Sequence, residues 1–184
     1  EEVLINTHHL ADQVILFLEN WKSKNLKVFT TFEEVLLGTA GTLIFNKNFF
    51  KNSTCIFMHA DNFTNYDMNL LVQAHYKRKK GCLITMLTFK TSEPENCGVV
   101  EVDKLNIVRG FYEKVKNPPS KIANGAIFLL ESDFIDQLNN IDPAPEDFCR
   151  DVIPLYLGKI QACYSKSIFI DIGTPKNFKL ANNS

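Results

Sequence analysis

Two aspartates stand in matching contexts. Asp61 closes the apolar run Thr54-Cys-Ile-Phe-Met-His-Ala, and Asp171 closes Ser167-Ile-Phe-Ile. Each ends a strand-like segment and opens a loop. In open α/β sheets, ligands bind beyond the carboxyl ends of the parallel strands. Two carboxylates delivered there from separate strands suit Mg²⁺, a hard cation that takes oxygen ligands and keeps water and phosphate in its other positions. Aspartate is also a good turn residue in its own right. The pattern alone leaves both readings open.

Other residues could serve the same chemistry. Gly38-Thr39-Ala40-Gly41 would let the backbone approach a ligand, with free N–H groups at a helix start, or it is a simple turn. Glu113-Lys114 precedes a Pro-Pro turn. The lysine could meet a phosphate and the glutamate accept from hydroxyls, or the two form an exposed ion pair. Asn124-Gly125, before an apolar strand, is equally open. His8-His9 have no partner at metal-ligand spacing, so one is expected packed and one exposed. His59 reads as a strand residue. His75 shares a helix face with Leu71 and Val72 and reads as core. No serine or cysteine sits in a nucleophile motif such as G-x-S-x-G. The five cysteines, at 55, 82, 97, 149 and 163, form no C-x-x-C pair, which argues against zinc and for reduced thiols in a cytoplasmic protein. The sequons at Asn52 and Asn62 then carry no weight.

These residues need a scaffold, and a chain of 184 residues is long enough for one domain with a substantial core. It is 45% hydrophobic and 22% charged, ordinary for a globular protein, and its net charge of -1 offers no basic excess for nucleic acid or an anionic membrane. No apolar run is long enough to span a bilayer, and no signal-peptide pattern is present. Strands are expected at residues 3–6, 26–30, 54–60 and 82–89. Helices are expected over 8–24, after Gly41, and from Met68 to the basic stop Lys77-Arg-Lys-Lys-Gly81. This alternation predicts a mainly parallel sheet covered on both faces. Residues 98–103 and 107–112 flank Lys104-Leu-Asn as a β-hairpin. A strand at 126–130, helices at 132–139 and 146–157 and a strand at 167–171 complete the reading.

Taken in order, Ile5-Asn-Thr-His-His-Leu10, Leu37-Gly-Thr-Ala-Gly41, Ala60-Asp-Asn62, Cys97-Gly-Val-Val100, Phe111-Tyr-Glu-Lys114, Ala123-Asn-Gly125 and Asp171-Ile-Gly-Thr-Pro175 span nearly the whole chain. The set resembles the sugar-1-phosphate nucleotidyltransferases, or NDP-sugar pyrophosphorylases, and in particular their short mannose-1-phosphate guanylyltransferase-like members. The resemblance implies an α/β, Rossmann-like nucleotide-diphospho-sugar transferase fold with a mixed, mainly parallel sheet, helices on both faces and an antiparallel β-hairpin insertion. It implies a Mg²⁺-dependent reaction between a sugar 1-phosphate and an NTP, with GTP and mannose 1-phosphate first among the candidates. A uridylyl- or thymidylyltransferase, or a non-catalytic fragment that binds sugar phosphate or nucleotide, stays open, as does a homo-oligomer.

Carried over residue by residue, Asp61 and Asp171 would hold the metal, and with Lys114 would form the catalytic set. Gly38, Thr39, Ala40 and Gly41 would lie against the nucleotide. Gly98, Glu113, Asn124 and Gly125 would contact the sugar, Lys114 its phosphate, and Thr174 would sit beside the metal. The family's opening strand and its loop like G-G-x-G-T-R-L have no counterpart here. Residues 1–184 are therefore expected to form a single nucleotidyltransferase domain lacking those parts, and to be inactive alone. Val115 follows Lys114 where the family usually has proline, which makes that turn less rigid.

Overall fold

In the computed structural model, residues 1–184 are described except Lys22 and Lys24. Along the chain run β1 (Glu2–Thr7), α1 (Ala11–Asn20), β2 (Lys27–Phe32), α2 (Gly38–Phe45), β3 (Thr54–Met58), β4 (Asn62–Thr64) and α3 (Met68–Tyr76). They are followed by β5 (Ile84–Lys90), β6 (Gly98–Val102), β7 (Val108–Glu113), β8 (Ile122–Glu131), α4 (Ser132–Leu138), β9 (Ile160–Ser165), β10 (Phe169–Asp171) and α5 (Pro175–Ala181).

Strands β5 and β8 are apolar on both faces, as strands buried on both sides must be. Side chains alternate along a strand, so Ile84, Met86, Phe128 and Leu130 face one way and Leu87, Ile127 and Leu129 the other. The first set packs with Ala40 and Leu43 of α2, Phe134, Ile135 and Leu138 of α4, and Phe148. The second packs with Leu71 of α3. Helices therefore cover both faces.

The main sheet runs β7-β6-β8-β5-β9, with β3 also on β8. Both β3 and β5 are antiparallel to β8, and β9 is parallel to β5, so β3, β5 and β9 share one direction. The sheet is mixed, as expected, but its pairings are mainly antiparallel rather than mainly parallel. The reversed β8 splits the co-directional strands, which leaves parallel pairing to β5/β9 and, separately, β1/β2. The predicted hairpin is β6/β7, tied to β8 at Val99 and Ala123. The outer edges of β1 and β3 line one cleft of about 610 Å³ together with Phe49, Phe50 and Met68. No helix among the described residues is long and apolar enough to cross a membrane.

Several elements differ from the expected ones. Helix α2 begins at Gly38, so both glycines lie inside its first turns. The predicted helix over 146–157 is a π-turn, Phe148–Val152, followed by a 3₁₀ turn, Ile153–Tyr156. Pro154 has no N–H to give and its ring excludes the regular helical bond. The helix expected over 8–24 spans Ala11–Asn20, and its expected end includes Lys22 and Lys24, outside the described residues. His8 and His9 are both exposed, not one packed and one free. Strand β9, the short β4 and helix α5 were not anticipated. All five cysteines are free thiols, and burial pushes the Cys55 thiol up to about 12.

His75 is core, as expected, and fully buried. Its Nδ1 lies 2.8 Å from Thr85 Oγ1 and its Nε2 lies 3.0 Å from Glu131 Oε1. Arg78 and Thr54 donate to the same carboxylate, which ties α3, β3, β5 and the end of β8 together. Burial holds the His75 pKa below its usual value, against the pull of Glu131. Burial also pushes the Glu131 carboxyl up, but the bonds from Thr54 and His75 outweigh it and keep its pKa low. A folded-state histidine pKa below the unfolded one means that the unfolded chain binds more protons. Stability then falls as pH drops from the ordinary histidine value of 6.5 toward the depressed one. The Glu131 contribution is lost at still lower pH, below the ordinary 4.5. Tm is expected to fall between about pH 7 and pH 5, with a shallower slope in His75→Gln, as thermal scans across pH would show.

Candidate active site

The two aspartates meet through a small ladder. Strand β10 pairs antiparallel with β4, with Asp171 opposite Asn62, and the Ile172 N–H donates to Asp61 O at 2.8 Å. The turn that presents Asp61 forms where β3 ends: His59 N–H donates to Ala126 O and Asn62 N–H to His59 O. The Asp171 carboxylate accepts from Gly173 N–H at 2.8 Å, which fixes the turn into α5. Both aspartates are exposed. Thr174 caps α5 by accepting from Asn177 N–H.

Gly125 explains how β10 reaches this place. It is buried, and a β-carbon there would come within 2.9 Å of the Phe169 ring and 3.1 Å of Leu87 O. Without one, Phe169 settles on Phe89 with centroids 4.6 Å apart and nearly parallel rings. Glycine at 125 thus lets β10, and Asp171 with it, lie against the sheet.

A second cluster forms at the end of the hairpin. Gly98 pairs with Glu113, and a β-carbon on Gly98 would lie 2.6 Å from Glu113 Oε2. The missing side chain is the space that the carboxylate uses. The Asn124 side chain accepts from Ala126 N–H at 2.9 Å and donates to Cys149 Sγ at 3.4 Å. Burial, with the nearby Glu113 and Asp147 charges adding to it, pushes the Cys149 thiol up to about 12, so it stays a neutral thiol beside Asn124. Lys114 is exposed, with a left-handed φ of 51° and its N–H on Cys97 O. Among the described residues no ion pair joins Glu113 to Lys114, so the exposed-pair reading is not what the structure shows.

The glycine turn departs from expectation. The N–H groups of Ala40 and Gly41 are not free, because both donate to Glu146 O, at 2.8 and 3.3 Å. Thr39 Oγ1 accepts from Phe148 N–H at 2.7 Å. Ala40 is fully buried in the core. A nucleotide here would meet the outer surface of the turn, not an open helix N-terminus. The Glu146–Cys149 segment links this turn, through Thr39, to Asn124 of the second cluster.

A family profile for nucleotidyl transferases matches residues 1–184. The chain belongs to the nucleotidyl transferase family. It is 26% identical over 182 residues to a mannose-1-phosphate guanylyltransferase of Mycobacterium tuberculosis, covering 97% of this chain and 50% of that protein. It is also 26% identical over 157 residues to a glucose-1-phosphate adenylyltransferase of Clostridium acetobutylicum, covering 79% of this chain and 41% of that protein. HddC from Yersinia pseudotuberculosis, also solved complexed with GMP-PN, has the same fold, with a TM-score of 0.82 and 21% identity over 99% of this chain and 77% of its own. The chain spans about half the length of the curated relatives it matches.

Two residues of this chain escaped sequence reasoning. Cys149 looks like an ordinary thiol in an amphipathic run, and only its contact with Asn124 marks it. Glu33 opens a loop beside Glu34, where a solvated carboxylate is the default, yet it is buried. A signal for it does exist: it lies just ahead of the glycine pair, inside the loop that must be anchored for the turn to hold its shape.

Proposed function

We propose that the protein carrying this chain joins a sugar 1-phosphate to an NTP. A phosphate oxygen of the sugar 1-phosphate forms a bond to the α-phosphorus, the bond from that phosphorus to the β-phosphate bridge breaks, and pyrophosphate leaves. The observation that carries this reading is the β4/β10 ladder, which brings the backbone segments of Asp61 and Asp171 side by side in a chain of the nucleotidyl transferase family.

Asp61 and Asp171 would hold Mg²⁺. The fit is chemical: two hard, exposed oxygen donors on adjoining backbone segments. Among the described residues no cluster of three or more His, Cys, Asp or Glu could enclose a metal, so water and phosphate oxygens would complete the shell. When bound, the ion would neutralise phosphate charge. Thr174 would border it. Lys114 would hold the sugar phosphate as a point charge. Glu113 would accept from sugar hydroxyls, Asn124 would both donate and accept, and Gly98 and Gly125 would keep that floor low. Gly38, Thr39 and Gly41 would support the nucleotide, with Ala40 fixed in the core beneath. Positioning supplies most of the rate, since phosphoryl chemistry of this kind asks little covalent work of the protein.

GTP and mannose 1-phosphate are the first choice. The Mycobacterium relative is named for that pair, and HddC has been seen with GMP-PN. The adenylyltransferase relative keeps ATP as the next base to try. The free cysteines fit a reducing cytoplasm. To test this, the protein and Mg²⁺ are offered a matrix of NTPs and sugar 1-phosphates, and pyrophosphate release is followed. Fastest release is expected from GTP with mannose 1-phosphate. Release from no pair overturns the reading.

A further inference from the structure

Glu33 is only 3% exposed, and no described cation touches it. A carboxylate so placed is costly unless its lone pairs are met. Three donors from two segments, β1 and the start of α2, meet them. Thr42 Oγ1 and Asn6 Nδ2 donate to Oε1 at 2.6 and 3.3 Å, and Leu37 N–H donates to Oε2 at 3.2 Å. The main chain of Glu33 takes part as well. Its N–H donates to Thr7 O at 2.9 Å, and its carbonyl lies 2.7 Å from His8 Nδ1.

Leu37 is the residue before Gly38, and Thr42 is the residue after Gly41. The carboxylate therefore grips the glycine turn at both ends and fastens it to β1. The other side of the turn is held independently, by Glu146 O and Phe148 N–H.

We propose that Glu33 is a positioning residue that sets the shape of the nucleotide side of the site by tying the Asn6–His8 segment to the glycine turn. It touches no substrate. The inference rests on the proposed function in taking that turn as the nucleotide's support. Hydrogen bonding does the holding, and the negative charge is incidental. A glutamine amide could do the same work. Its oxygen can accept from Leu37 N–H, its NH₂ can donate to the Thr42 hydroxyl, and the exposed Asn6 amide can turn over to accept.

The test titrates the protein carrying this chain, as wild type and as Glu33→Ala, Glu33→Gln and Thr42→Val, with GTP and, separately, mannose 1-phosphate. Amide hydrogen exchange over residues 37–42 is followed in the same proteins. In Glu33→Ala the GTP Kd should rise about tenfold while mannose 1-phosphate stays within about twofold. Glu33→Gln should bind GTP within about threefold of wild type, and Thr42→Val should fall between the two. Exchange should speed up in Glu33→Ala and not in Glu33→Gln. Wild-type GTP affinity in Glu33→Ala, equal weakening of both ligands, or a Glu33→Gln variant as poor as Glu33→Ala each overturns the proposal. If the wild-type protein binds no nucleotide, the proposed function fails instead. The exchange result then decides for Glu33 alone, and unchanged protection in Glu33→Ala overturns its role.

Discussion

Asp61→Asn and Asp171→Asn are each expected to lower turnover at least about a hundredfold in the protein carrying this chain, with little change in Tm. The fold tolerates both changes for specific reasons. Asp61 holds Ile172 through its backbone carbonyl, which the substitution keeps. Asp171 accepts from Gly173 N–H, and an asparagine oxygen accepts as well. Both side chains are exposed, so neither change leaves a buried group unpaired. What is lost is negative charge at the place where a cation and phosphates would meet. If the two carboxylates hold one metal as proposed, the double variant should be little worse than either single one. Asp67 supplies the control. Its carboxylate caps α3 by accepting from Asn69 N–H at 2.9 Å, a task asparagine performs equally well. Asp67→Asn should keep the wild-type rate. Pyrophosphate release at saturating Mg²⁺, with thermal scans on the same samples, reads all of this. Wild-type rates in both Asp61→Asn and Asp171→Asn would remove the metal assignment.

Asp61 and Asp171 were legible because each ends an apolar run, a local pattern. That their backbone segments adjoin was not legible, because the pairing runs through β4, a strand of three residues that exists only because β10 lies beside it. Strand β9 was hidden for a related reason. It carries Gln161 in its buried interior, where sequence alone argues against a strand. The structure satisfies that amide with the carbonyls of Leu105 and Asn106 in the hairpin turn and with Lys79 N–H. The sequence pattern predicted a helix over 146–157, but Pro154 broke the regular helix, and the π-turn that resulted places Cys149 on Asn124. The glycine turn was found, yet its amides are taken by a carbonyl from more than a hundred residues later in the chain. Motifs show where chemistry gathers; long-range hydrogen bonds decide which backbone groups remain available to it.

The glycine turn also supports a sharp stability comparison. Gly38 has φ of 75°, a left-handed value that costs an ordinary residue roughly 1–2 kcal/mol. A β-carbon there would be driven into the carbonyl of Glu146, the oxygen that accepts from Ala40 and Gly41. That obstacle is backbone, so it cannot swing aside as a side chain would. Gly38→Ala is expected to cost about 2–4 kcal/mol in all, a Tm loss of roughly 4–16 °C for a chain of this size. Gly81→Ala isolates the conformational part. Gly81 has φ of 94°, and its missing β-carbon would meet nothing within 4 Å, so only the left-handed cost applies. The difference between the two variants measures the contact with Glu146. Equal Tm losses would mean that the contact yields at no cost. The effects on substrates should differ too. Forcing Glu146 away moves the segment that carries Phe148 and Cys149, and through Cys149 it disturbs Asn124. Gly38→Ala should therefore raise KM for both substrates, whereas Glu33→Ala, acting on the opposite side of the same turn, should raise it for the nucleotide alone.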